Sequence, residues 1–233
     1  MSLIEARDLK KTYHAGDVEV QALKGLSFEI EPASFVSFVG PSGSGKTTLL
    51  NLVGCLDKPT SGSLHVAGTE VASLGRADGA TFRGNNIGFV FQDFNLIPVL
   101  TVAENVEYPL MMIDCCSGRE RRERVAGLLE AVGMSDQAKK FPGQISGGQK
   151  QRVAVARALA GNPRLVLADE PTANLDHETA FMVIDLMKSL KEKRETTFLF
   201  STHDPKIVEE AEIVYTIEDG LLKGFEDRRN GNG

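Results

Sequence analysis

The sequence predicts an α/β fold in three parts: a core on a parallel sheet, an N-terminal antiparallel β subdomain and an inserted helical subdomain. Three observations predict it. The first is the run Gly40-Pro41-Ser42-Gly43-Ser44-Gly45-Lys46-Thr47, which fits the phosphate-loop pattern G-x-x-x-x-G-K-[S/T] without a mismatch. It stands between the apolar run 35–39, read as a buried strand, and 48–53, read as the start of a helix, so the core is of the phosphate-loop NTPase type. The second is a set of short apolar runs bounded by polar residues or glycine, at 35–39, 165–168, 197–201 and 213–217, the pattern of strands covered on both faces. The third is a change to helical periodicity between about 95 and 160.

The elements follow in order. Residues 4–9, 18–23 and 26–30 are β-rich, with a turn at 14–17 between the first two. Further short strands near 62–71 and 87–91 are assigned with them to the antiparallel layer. Val125, Leu128, Leu129 and Val132 fall at i, i+3, i+4 and i+7, one apolar helix face, with Gly133 as its stop and the charged run 119–124 on the solvated side. Val183, Leu186, Met187 and Leu190 repeat that spacing. Asp204-Pro205 reads as an N-cap followed by a first-turn proline. The expected domain spans 2–224, and 225–233 has the composition of a flexible tail.

Composition narrows the class. The chain has 233 residues, 42% hydrophobic, enough for one globular domain with a lobe. A net charge of −6 disfavours a nucleic-acid binder resting on bulk charge. No apolar run approaches the roughly 18–20 residues that cross a bilayer, and the N-terminus lacks the basic-then-apolar design of a signal peptide. The expectation is a cytoplasmic protein that reaches a membrane by docking on another protein, without inserting. The three cysteines, Cys55, Cys115 and Cys116, have no metal-ligand spacing and read as reduced, incidental thiols.

The chemistry starts at the glycine-rich loop. Glycines let successive N–H groups face a phosphate, and the helix N-terminus adds partial positive charge. Lys46 is placed to reach the terminal phosphates, and Thr47 to offer its hydroxyl to Mg²⁺. The apolar strand 165–168 ends in Asp169-Glu170. A strand-end carboxylate beside a phosphate loop holds Mg²⁺, so Asp169 is the expected metal partner and Glu170 the base that polarises water. A second serine–glycine loop, Ser146-Gly147-Gly148-Gln149, opens another helix and offers a second phosphate-binding surface.

With that loop standing between a phosphate loop and an Asp-Glu strand, residues 2–224 resemble the ATP-binding cassette family, the ATPase subunits of ABC transporters. The resemblance implies the ABC ATPase fold and further roles. Tyr13 lies where the family stacks an aromatic ring on adenine. Gln92 resembles the glutamine that joins core to helical subdomain and reaches Mg²⁺ or water. His203 resembles the switch histidine that contacts the γ-phosphate. Thr48 falls with the phosphate-loop contacts, and Asp176 with the loop crossing to the partner subunit. The family solution is a head-to-tail homodimer with each ATP held between one copy's phosphate loop and the other's Ser146–Gln149 loop.

The stretches 94–98, 100–105, Pro109-Leu110 and 167–176 resemble the lipoprotein-releasing and macrolide-export branch. That implies a permease with a periplasmic domain as partner, a place on the cytoplasmic side of the inner membrane, and Phe94 to Leu96 near the permease contact. A relative of the cell-division ATPase type, whose permease-like partner transports nothing, shares the same motifs. Chromosome-structure ATPases need a coiled-coil insertion that 50–145 does not offer, translation-factor relatives carry two cassettes, and importers with a C-terminal regulatory domain need more chain after Gly224. Three departures stand out: Pro32-Ala33-Ser34 for the usual Pro-Gly-Glu turn, Ile145 for leucine, and Ala173 for glycine. None removes a catalytic group.

Overall fold

The computed structural model describes residues 2–16, 18–113 and 116–229. The first half runs β1 (Ile4–Ala15), β2 (Val18–Ile30), β3 (Phe35–Val39), α1 (Lys46–Val53), β4 (Ser61–Val66), β5 (Thr69–Glu70), α2 (Arg76–Asn86), β6 (Ile87–Val90) and α3 (Val102–Met112). The second half runs α4 (Gly118–Ala131), α5 (Gly147–Leu159), β7 (Leu165–Asp169), α6 (His177–Arg194), β8 (Thr197–Thr202), α7 (Pro205–Glu209), β9 (Ile213–Glu218) and β10 (Leu221–Asp227). Two sheets result. A four-stranded antiparallel sheet has the order β2-β1-β4-β5, and a six-stranded sheet has the order β10-β9-β3-β8-β7-β6. In the second, β9, β3, β8, β7 and β6 are parallel and β10 is an antiparallel edge.

Strict alternation along the parallel strands builds two cores. Phe35, Val166, Ala168, Phe198, Phe200 and Val214 face the helices, packing against Val153, Val183, Ile184 and Met187. Val36, Phe38, Leu165, Leu167, Leu199, Ile213 and Tyr215 face the other way, onto α1 and the antiparallel sheet. There Phe28 meets Phe38 edge-on at 5.3 Å and Phe38 stacks on Tyr215 at 5.1 Å. The helix opened by the glycine-rich loop is thus clamped between two sheets: Leu49, Leu50, Leu52 and Val53 are all buried.

The structure corrects three expectations and adds one helix. Residues 18–23 and 26–30 form one strand, carried through Gly25 at φ +108°. The strand at 87–91 does not belong to the antiparallel layer. It pairs in parallel with β7, Ile87 opposite Leu165, and three of its four residues are buried, as a doubly covered strand requires. Helix α2 had no sequence signal, because Arg76–Asn86 buries only Gly79 and so has no apolar stripe. The tail expected from 225 is a strand as far as Asp227, and Arg229 then pairs with Glu31 and Asp227. Of the cysteines, Cys115 lies outside the described residues, as do Asp17 of the 14–17 turn and 230–233. Among the described residues no helix is long and apolar enough to cross a membrane.

Candidate active site

The order of the parallel strands brings the motifs together. β3 feeds the glycine-rich loop, its neighbour β8 ends before His203, and the next strand, β7, ends at Asp169 with Glu170 directly after it. All three C-terminal edges open on one cleft of about 680 Å³. One wall is Ser42, Gly43, Gly45, Lys46, Thr47 and Thr48; facing residues are Gln92, Glu170, Ala173 and His203. Val20, Gln21, Ala22 and Lys24 of β2, with Asp219 and Gly220 from the β9–β10 turn, complete it. Gly40 and Pro41 line the adjoining cavity, which His203 shares.

The loop's glycines are demanded by geometry. Gly40 has φ +152° and a Cβ there would lie 1.9 Å from the Ile217 carbonyl oxygen; Gly45 has φ +106° and a Cβ there would lie 2.6 Å from the Ala22 carbonyl oxygen. Lys46 is 7% exposed, and its Nζ donates to the carbonyls of Gly40 at 2.8 Å and Pro41 at 2.9 Å. Ser44 is buried, its hydroxyl without a partner among the described residues, while its carbonyl accepts from Gly220 N at 3.1 Å. A cation, an orphaned hydroxyl and a helix N-terminus around one curled loop suit a polyphosphate.

Opposite, the acidic pair is fixed through a residue the sequence did not single out. Ser201 sits beside Asp169 in the β7–β8 register. Its hydroxyl donates to Asp169 Oδ1 at 2.7 Å and accepts from Glu170 N at 3.0 Å. Glu170 has φ +48°, a left-handed backbone uncommon for a residue with a Cβ and typical of functional sites. Its carboxylate meets His203 Nδ1 at 2.9 and 3.0 Å, so with Glu170 ionised that nitrogen carries the proton.

Gln92 lies exposed in the turn after β6, tied to the loop after β7 because Asn174 Nδ2 donates to its carbonyl at 3.0 Å and to Asp93 Oδ1 at 3.0 Å. Beyond it Phe94 and Asn95 are both left-handed, and the Arg157 guanidinium donates to both of their carbonyls. Burial pulls Arg157 below the usual guanidinium range.

The second serine–glycine loop does not line the cleft. Ser146 caps α5, its hydroxyl accepting from Gln149 N at 3.3 Å while Gln149 Oε1 accepts from Ser146 N at 2.9 Å. A hydroxyl that accepts there keeps its own proton free to donate. Gly147 lies near Leu175, Asn174 and Phe94, and a Cβ at Gly148 would meet the Thr179 methyl at 2.3 Å. Asp176 is likewise occupied locally. It caps α6, accepting from Thr179 N at 3.0 Å and Thr179 Oγ1 at 2.6 Å, and those bonds hold its carboxyl below the usual range. Tyr13 stands at the cleft's edge rather than in its lining, opposite Val20 on the β1–β2 hairpin. Burial first, then the bond to Asp57, pushes its hydroxyl up, with Thr48 acting the other way.

A family model described as "ABC transporter" matches residues 23–173, which take in both glycine loops, Gln92 and the acidic pair. The chain belongs to the ABC transporter family. This ABC chain is 44% identical over 224 residues to the macrolide export ATP-binding/permease protein MacB of Syntrophobacter fumaroxidans, covering 96% of the chain but only 31% of that protein. It is 43% identical over 238 residues to the uncharacterized ABC transporter ATP-binding protein MJ0796 of Methanocaldococcus jannaschii, covering 97% of this chain and 100% of that one. A dimeric structure of the MJ0796 cassette in a post-hydrolysis state, bound to ADP and Pi, superposes with a TM-score of 0.89 at 42% identity over 97% of this chain and 99% of that one. The two sheets, with α1 clamped between them and α3 to α7 packing into the core on the far face of the parallel sheet, are therefore the fold of the ABC ATPase cassettes.

Proposed function

We propose that the chain is the ATP-hydrolysing subunit of an ABC transporter, working as a head-to-tail homodimer on a membrane permease. The observation that carries the reading is the division of the glycine loops. The Gly40–Thr47 loop shares one cleft with Glu170 and His203, while the Ser146–Gln149 loop lies outside it. A second copy supplies the missing surface: its α5 N-terminus, with Gly147, Gly148 and the free hydroxyl proton of Ser146, closes over the phosphates of the first. That the MJ0796 cassette is dimeric, with ADP and Pi bound, supports a dimer as the working unit.

Within the site, Gly40 to Thr48 hold the phosphates and Lys46 exchanges its two carbonyl partners for phosphate oxygens. Thr47, Asp169 and Gln92 would hold Mg²⁺, a sparse oxygen set suited to an ion that keeps waters and substrate phosphates, and the bound ion would supply positive charge to offset that of the phosphates. Glu170 accepts a proton from water as the water oxygen bonds the γ-phosphorus and the bond to the bridging oxygen breaks, leaving ADP and phosphate. His203, oriented by Glu170, holds the γ-phosphate. Tyr13 is the platform for the base, and Asp176 belongs to the loop nearest the partner copy. The names of the MacB relatives support macrolide export and a permease partner; the proposal extends this to the lipoprotein-release side of the same branch, a periplasmic domain on the permease and a peripheral place on the cytoplasmic side of the inner membrane.

Glu170→Gln tests the reading. Turnover is expected to fall by about 10²–10⁴-fold, the usual worth of a general base, while ATP binding persists and an ATP-bound dimer accumulates on size-exclusion chromatography. An undiminished rate would sink the assignment.

A further inference from the structure

Beside the cleft, Lys11, Tyr13 and Asp57 form a connected group of which only Tyr13 has a role so far. The Lys11 side chain is 12% exposed. Its Nζ donates to Asp57 Oδ1 at 2.7 Å and to the Lys58 carbonyl at 2.8 Å, and it sits 4.8 Å from the centroid of the Tyr13 ring. The Tyr13 hydroxyl donates to the other oxygen of the same carboxylate, Asp57 Oδ2, at 2.9 Å. Asp57 therefore holds the tip of the ring with one oxygen and the cation over its face with the other.

Asp57 is itself anchored to the phosphate side of the molecule. It follows α1, its N–H donating to the Asn51 carbonyl at 3.3 Å, while Oδ1 accepts from Lys58 N at 2.7 Å. The segment then grips β1 on either side of Lys11: Thr60 N donates to the Lys10 carbonyl at 2.8 Å, and Thr12 N donates to Thr60 Oγ1 at 3.0 Å. The helix that begins at Lys46 thus ends in the residues that fix Tyr13. With Lys11 over one face, a base meets the other face of a ring whose tilt is already set. An unheld tyrosine, 39% exposed at a hairpin, would have to be ordered by the ligand at a cost in affinity.

We propose that Lys11 and Asp57 are positioning residues for the purine of ATP. They hold the Tyr13 ring ready to stack and so tune affinity for the base and not for the phosphates. This rests on the reading of the cleft as an ATP site with Tyr13 as its base platform.

The test compares dissociation constants of the full chain for ATP and for inorganic tripolyphosphate, which has the phosphates and no base. Lys11→Met and Asp57→Asn are expected to weaken ATP by about 5–10-fold, the scale of lost preorganisation, and to leave tripolyphosphate unchanged. In a Tyr13→Ala background either change should have no further effect on ATP, because the cycle removes the ring through which both act. Equal weakening of ATP and tripolyphosphate would overturn the proposal by showing a general structural role. Unchanged ATP affinity in both variants, with Tyr13→Ala still weakening ATP, would overturn it and leave the platform standing. Tyr13→Ala without effect on ATP would remove platform and positioning together.

Discussion

Single residues carry backbone choices that composition does not announce. Ala33, where the family's usual turn has glycine, adopts φ +55°. A Cβ in that region costs about 1–2 kcal/mol, partly offset because glycine gives the unfolded chain more freedom, about 0.4–1 kcal/mol. Ala33→Gly is therefore expected to stabilise the fold by about 0.5–1 kcal/mol, seen as a higher urea midpoint at unchanged slope. A lower midpoint would contradict the strain. The loop glycines, Lys46, Thr47 and the acids were legible because their chemistry dictates residue type at fixed spacing. Ser201 was not. It is one more hydroxyl in an apolar run until register sets it beside Asp169.

Among the elements, α3 shows how a local motif becomes a support for the site. Thr101 and Glu104 form a capping box at its start, each bonding the other's backbone. Asn105, fully buried, then stitches the preceding loop: its Oδ1 accepts from Ile97 N at 2.7 Å, and its Nδ2 faces the carbonyls of Ile97, Leu100 and Thr101 at 2.9–3.1 Å. The loop so held runs back to Gln92. Asn105→Ala takes the side-chain partner from the Ile97 N–H and the Leu100 carbonyl, while the Ile97 and Thr101 carbonyls keep the N–H groups of Leu100 and Asn105, and it is expected to cost about 1–3 kcal/mol. Faster amide exchange at 97–101 would accompany the loss, and unchanged protection would exclude the stitching role. The sequence read α4, α6 and the parallel strands β3, β7, β8 and β9 from period and punctuation. It failed where an element has no face to bury, as in α2, and where short strands were grouped by nearness in sequence, as in β6. Pairing partners depend on distant residues that no window contains.

For the whole molecule, the two-core architecture was foreshadowed by doubly apolar strands. Which strands are neighbours was not, and that order is what gathers the ends of β3, β7 and β8 on one cleft. The Ser146–Gln149 loop lies outside that cleft. Two differently damaged copies should consequently repair one another. Gly147→Asp adds a carboxylate where a Cβ meets only ordinary contacts, favourable to its own helix start but repulsive to a partner's phosphates. Lys46→Ala empties the other half. In the proposed head-to-tail dimer neither protein alone would have an intact site, yet in a mixed dimer one site would gather both lesions and the other none. Random pairing of equal amounts restores about a quarter of all sites, because half the two-fold dimers are mixed and each keeps one. ATPase assays of the mixture should show activity that neither protein has alone; a mixture as inactive as its parts would mean that each cleft is served by its own chain. On the proposed dimer, function would be inherited by pairs and not by copies, because one short loop lies outside the cleft of its own chain.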